Sequence, residues 1–112
     1  MREFELIDPL FGAGIVLLVG GTLADLKARA KEKEELQENC PGYCLRGSDA
    51  YDGTFFVWVE SPQIPLLAHE LLHLTFWVLG DRGLSVTDES DEAFTYWFEN
   101  MLEQVEKLGL LK

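Results

Sequence analysis

The chain has 112 residues, and 20 acidic side chains against 9 basic ones give it a formal net charge of −11 at neutral pH. This length supports a single hydrophobic core but not an elaborate cleft with many subsites, so one domain is predicted over residues 1–112. The acidic balance repels phosphate backbones and anionic membranes at long range, which argues against nucleic acid and membranes as partners.

An apolar segment runs from Phe11 to Ala24 and is centred on Ile15–Val19. A membrane-spanning helix needs about 20 apolar residues, more than this segment supplies. The residues before it include Glu3, Glu5 and Asp8 rather than a basic leader. The segment is therefore predicted to be a buried strand of a cytoplasmic protein.

A charged helix is predicted from Leu23 to Glu38, after the turn sequence Gly20-Gly21-Thr22. Its apolar side chains recur at helical spacing and form one narrow stripe. A buried strand followed by such a helix indicates a sheet with helices packed on it. The stripe consists of Leu23, Leu26, Ala30 and Leu36.

Cys40 and Cys44 bracket Pro41-Gly42-Tyr43, a sequence whose turn can bring the two sulfurs close. Three interpretations are open: two reduced thiols, a disulfide that closes a small loop, and half of a second zinc site. The zinc interpretation is the least favoured because the two further ligands are missing. A cytoplasmic setting favours the reduced pair.

A strand is predicted over Thr54–Glu60, which is rich in β-branched and aromatic residues and follows the turn pair Asp52-Gly53. It pairs either with Leu45 and its neighbours in a hairpin or with Ile15–Val19. Together these patterns predict an α+β fold, with a small sheet of about three strands and three main helices.

Both histidines of the chain lie in the string His69-Glu70-Leu71-Leu72-His73, an H-E-x-x-H motif. Residues four apart share one face of a helix, so both imidazoles can reach one Zn²⁺ ion, with bonds of about 2.0 to 2.1 Å. Glu70 then lies beside the open coordination position, as general base for a metal-activated water. In the alternative interpretation, His69 and His73 are partly buried helix residues and Glu70 is exposed or ion-paired.

The residues around the motif predict the buried helix that would carry it. Pro62 and Pro65 suit its opening turn, and Gly80 or Gly83 suits its end. Most residues between these limits are apolar, so polar side chains on the helix need partners. A buried polar group without one costs about 1 to 3 kcal/mol, and a metal ion would supply the partner.

A catalytic zinc site usually has three protein ligands, and the third is predicted on the next helix. This helix starts near Asp88 to Ser90, runs to about Leu108 and stops at Gly109. Glu92 in its first turn is the preferred ligand. Acidic residues are also common there because they complement the helix dipole. The competing ligands are Glu89, Asp91 and Glu99.

Tyr96 follows Glu92 by one helical turn and is predicted to share its face. Its hydroxyl could donate a hydrogen bond to the ligand carboxylate or to a bound carbonyl oxygen, as zinc sites use. In the alternative interpretation Tyr96 is a packing residue whose hydroxyl reaches water.

The strings Leu67–His73, Leu79–Leu84 and Asp91–Tyr96 resemble small, single-domain, phage-encoded zinc metallopeptidases. The plan is also similar to that of the gluzincins, in which a glutamate on the following helix completes the site, and the chain is of minigluzincin size. The resemblance covers the chain from about Thr54 onward. It implies zinc binding by His69, His73 and Glu92, catalysis by Glu70, and a host-cytoplasm location if the gene is carried by a phage. Gluzincins often place a further acid where this chain has Tyr96.

In the resembled peptidases an edge strand before the motif helix binds extended substrate by joining the sheet. This resemblance implies that the main chain of Val57, Trp58, Val59 and Glu60 holds a peptide or protein substrate. In the alternative interpretation, these residues form a core strand with no exposed edge.

The function predicted from the sequence is hydrolysis of peptide or amide bonds by a zinc metallopeptidase. The alternative is a non-catalytic zinc-containing protein that binds a partner during phage assembly or host takeover. Minigluzincins can be latent, with a terminal segment in the cleft, and the apolar tail Lys107–Lys112 is the candidate segment here.

Overall fold

The computed structural model describes residues 1–47 and 53–110, which form a four-stranded sheet and three helices. The strand order is β1-β2-β4-β3, in which β2 and β4 are parallel and each edge strand is antiparallel to its neighbour. The predicted α+β class is confirmed, with four strands rather than about three. In chain order the elements are β1 (Arg2–Ile7), β2 (Gly14–Val19), α1 (Leu23–Ala30), β3 (Gly42–Arg46), β4 (Thr54–Val59), α2 (Ile64–Asp81) and α3 (Asp91–Lys107).

Strand β1 is the element that the sequence analysis did not predict. Only Leu6 of this strand is buried, and Phe4 packs partly against the same core. The intervening residues are charged or exposed, so the strand lacks the continuous apolar run of β2. Its pairing with β2 rather than its composition makes it a strand.

The two faces of the sheet bury separate cores, because successive strand residues point to opposite sides. On one face, Phe55, Val57 and Val59 of β4 pack with α2 and α3. On the other face, Phe56 and Trp58 pack with α1. Helix α2 therefore lies against one face of the sheet, above the strands β3 and β4.

Helix α1 is shorter than predicted and ends at Ala30 rather than at Glu38. It begins with a capping box between Thr22 and Asp25 and ends where Lys31 adopts a left-handed backbone with φ 54°. After this point the chain leaves the helical path, and Leu36 still packs against the core on the α1 side of the sheet. Residues 31–38 are mostly charged and contain a single apolar residue, so packing against the core would not stabilise a longer helix.

The ends of α2 and α3 agree with the predicted signals. Helix α2 has Pro65 in its first turn and is followed by Gly83, whose φ is 82°. Helix α3 follows Ser90 and stops before Gly109, whose φ is 74°. Leu110 packs into the core beside the helices, while Leu111 and Lys112 lie outside the described residues. Within the described ranges, no helix has both the length and the apolar character needed to cross a membrane.

A buried carboxylate joins the end of β1 to α3. Asp8 is only 6% exposed, and its Oδ1 accepts hydrogen bonds from Trp97 Nε1 at 2.8 Å and from the backbone N–H groups of Leu10 and Phe11. Its Oδ2 accepts a further hydrogen bond from the N–H of Ala13. Burial alone would raise the pKa of Asp8, but these four hydrogen bonds together outweigh it and hold the pKa below its usual value.

Candidate metal centre

The H-E-x-x-H motif lies in the middle of α2, and its two imidazoles converge. The Nε2 atoms of His69 and His73 are 3.2 Å apart, with the ring planes at 77° to each other. Both side chains are exposed. The opposite face of the helix is buried and carries Leu67, Leu71 and Leu74. The apolar face therefore fixes the helix on the sheet and leaves the imidazoles accessible.

The separation of the two nitrogens suits a zinc ion. Two nitrogen ligands at about 2.0 to 2.1 Å from a tetrahedral zinc lie about 3.3 Å from each other, close to the observed 3.2 Å. The same distance suits an N–H···N hydrogen bond between two neutral rings, so it supports a metal without requiring one. Borderline nitrogen donors of this kind favour zinc over magnesium or calcium.

Glu70 lies beside the two histidines but is buried, with only 5% of its surface exposed. One of its carboxylate oxygens lies within 4.8 Å of the ligand nitrogens of both imidazoles. Desolvation raises the pKa of Glu70 above its usual value, and the charges of His69 and His73 oppose that rise. A carboxylate with a raised pKa at this distance can reach a proton near the imidazoles directly or through one water molecule.

The site opens into a pocket of about 330 Å³ between α2 and the strand β3. His69, Glu70 and His73 form one wall, and Trp77 extends this wall by one helical turn. The opposite wall comes from β3 and the segment before it. Its lining residues are Gln37, Cys40, Gly42, Tyr43 and Cys44.

Cys40 and Cys44 are both free, in agreement with the interpretation as reduced thiols. Burial raises the pKa of the Cys44 thiol to about 12, with the nearby carboxylate of Glu70 adding to the rise and Arg46 opposing it. Cys44 is therefore a neutral thiol at physiological pH and a poor metal ligand in this state. The sequence alone does not place either cysteine at the motif, because the two segments meet only in the folded chain.

Glu92 and Tyr96 are both exposed and do not line the pocket. Phe94, which lies between them, contacts Phe76 of α2 with ring centroids 5.6 Å apart. Two residues correspond to about 200° of helical rotation, so Glu92 and Tyr96 lie on the far side of α3 from this contact. Among the described residues, the group of converging metal-ligand atoms contains His69, Glu70 and His73 but not Glu92. The assigned roles of Glu92 and Tyr96 remain predictions.

A Glu92→Ala variant tests the predicted third ligand. If Glu92 moves toward the imidazoles when zinc binds, its loss removes one of three ligands, and we expect zinc affinity to fall by about tenfold or more. Calorimetric titration with zinc measures this change. Glu103→Ala, which removes an exposed acid from the same helix, should bind zinc like the wild type. Equal affinities for both variants would remove Glu92 from the site.

The predicted substrate strand is corrected by the sheet topology. Strand β4, which contains Val57, Trp58 and Val59, is paired with β2 on one side and with β3 on the other. The N–H of Glu60 donates to the carbonyl of Pro41. The main chain of these residues is therefore engaged, and the alternative interpretation as a core strand is correct. The edge strand beside the motif helix is β3.

Comparisons of the chain with protein-family models, with curated proteins and with solved structures give no match. The geometry of the pocket is therefore the basis for any statement about function.

Proposed function

We propose that this protein is a zinc-dependent metallopeptidase, gluzincin-like in plan, that hydrolyses peptide or amide bonds. The observation that carries the proposal is the convergence of two imidazole nitrogens 3.2 Å apart with a buried carboxylate within 4.8 Å of both. Two imidazole ligands and a desolvated carboxylate at the wall of an open pocket are the groups that metal-assisted hydrolysis requires.

His69 and His73 would hold the ion through their Nε2 atoms. Zinc, when bound there, supplies a Lewis acid that polarises the scissile carbonyl and activates water for attack. Because both imidazoles belong to one well-packed helix, their mutual position is set by the backbone of α2 and requires little ordering when the ion arrives.

Glu70 would transfer the protons. Its carboxylate takes a proton from the attacking water as the new C–O bond forms, and it gives the proton to the amide nitrogen as the C–N bond breaks. None of the described residues donates a hydrogen bond to this carboxylate.

The substrate would lie along the pocket between α2 and β3. Within the described part of the chain, the outer edge of β3 pairs with no other strand, so an extended peptide can add to it through main-chain hydrogen bonds. Trp77 lines the same pocket and would contact apolar substrate groups. The net charge of −11 would attract basic rather than acidic peptides to the protein.

Zinc analysis and peptide cleavage test the proposal together. We expect about one zinc ion per chain in protein purified without chelators, and loss of that ion in His73→Ala, because a single imidazole binds zinc too weakly to retain it. Mass spectrometry of a diverse peptide mixture should show cleavage by the zinc-loaded wild type only. Absence of zinc binding would refute the metal site. Zinc binding without cleavage would favour the non-catalytic interaction protein instead.

A further inference from the structure

Gly42 lies against Glu70 so closely that no side chain fits between them. A Cβ atom placed on Gly42 would lie 2.8 Å from Oε2 and 2.9 Å from Cγ of Glu70. It would also lie 2.9 Å from Cδ1 of Leu66, one helical turn away on α2. Carbon atoms in ordinary contact are about 3.5 to 4.0 Å apart. The side chain of Glu70 therefore rests directly on the main chain of β3.

Glycine is needed at position 42 because a side chain would not fit there, and not because the backbone has an unusual conformation. Gly42 is not among the described glycines with positive φ, and it pairs with Val59 as a regular strand residue. A glycine inside a strand weakens the strand, and it often marks a site where another group approaches the backbone closely. Here the approaching group is the carboxylate of Glu70.

The direction of the missing side chain follows from the alternation along β3. Cys44, two residues later, packs in the core on the α2 side, whereas Tyr43 and Leu45 pack on the α1 side. A side chain at position 42 would therefore point at α2. It would press on Leu66 and Glu70 at once, so turning one of them away would not relieve both contacts.

We propose that Gly42 is a positioning residue for Glu70. Its lack of a side chain lets the carboxylate lie between β3 and the imidazoles, within 4.8 Å of both ligand nitrogens. The same contact places the proposed base against the edge strand that would hold the substrate main chain. The catalytic part of this inference rests on the proposed function of Glu70 as general base.

A Gly42→Ala variant tests the inference. We expect it to bind zinc within about twofold of the wild type, because the three atoms nearest to the added methyl group belong to Glu70 and Leu66 rather than to the imidazoles. We expect kcat to fall by about 100-fold with little change in KM, since a displacement of about 1 Å in a reacting group has an effect of this size. A general loss of structure would instead lower zinc affinity as well.

Gly80→Ala is the matched control. Gly80 lies on α2, and a Cβ there would meet no atom within 4 Å, so kcat should stay within about twofold of the wild type. Crystal structures of the wild type and Gly42→Ala supply a measurement that is independent of activity, namely the position of the Glu70 carboxylate relative to the imidazoles.

The outcomes separate the inference from the proposed function. If the wild type cleaves no peptide, the proposed function fails, while a Glu70 carboxylate displaced by about 1 Å in Gly42→Ala still supports its placement by Gly42. An undisplaced carboxylate, or a kcat within about twofold of an active wild type, overturns the inference.

Discussion

A Glu70→Gln variant is expected to bind zinc as the wild type does and to lose about 10²- to 10⁴-fold in kcat. Glutamine keeps the shape of the side chain, so its close approach to Gly42 is preserved. It cannot take up a proton at neutral pH, and the proposed transfer from water to the leaving amine stops. Steady-state kinetics on a peptide that the wild type cleaves in the peptide mixture measures kcat, and zinc titration measures the zinc affinity.

Glu103→Gln removes the same charge from an exposed position on α3 and serves as the control for the change in net charge. It should retain wild-type turnover. Equal turnover in Glu70→Gln would show that Glu70 is not the base, whereas a parallel loss of zinc would show that it contributes to the ligand set.

Local signals in the sequence were sufficient for the helices around the site. Pro65 and Gly83 mark the two ends of α2, and Gly109 follows the last turn of α3. The convergence of His69 and His73 follows from their spacing alone, because residues four apart on a helix share a face. These features depend on residues that are close in the chain, so a pattern within about 20 residues is enough to predict them.

The features that the sequence did not reveal depend on long-range pairing. Strand β4 pairs with both of its predicted partners, the Leu45 region and Ile15–Val19, one on each side. Because β4 is therefore an inner strand, the edge of the sheet next to α2 is formed by β3. Gly42 and Glu70 are 28 positions apart in the sequence, and the residues around neither of them indicate that the two lie close together. The outward direction of Glu92 is set by the packing of Phe94 on Phe76, which its place in a first helical turn does not reveal.

An Asp8→Ala variant is expected to lose about 3 kcal/mol of unfolding free energy at pH 7. Four hydrogen bonds to the carboxylate are removed, and the buried Nε1–H of Trp97 is left without its acceptor. A domain of this size has a total stability of about 5 to 15 kcal/mol, so the loss is a large fraction of it. Urea unfolding followed by tryptophan fluorescence measures the change.

Asp25→Ala is the matched control. The carboxylate of Asp25 also accepts a backbone hydrogen bond, from the N–H of Thr22 in the capping box of α1, but this bond is exposed to solvent. Loss of this cap should cost about 1 kcal/mol. If the cost of Asp8→Ala does not exceed that of Asp25→Ala, the buried network does not stabilise the junction of β1 and α3.

The pH dependence of Asp8 gives a second, independent measurement of the same network. The folded state lowers the pKa of Asp8, so its stabilising contribution is fully present above the unfolded value of about 3.9 and is lost as the pH falls through the lower folded value. The difference in stability between the wild type and Asp8→Ala should therefore be constant between about pH 5 and 7 and should narrow below about pH 4. Protonation removes the negative charge that the four N–H groups share, and it weakens those bonds without removing the side chain. A difference that stays constant down to about pH 2 would attribute the loss to packing rather than to the charged acceptor.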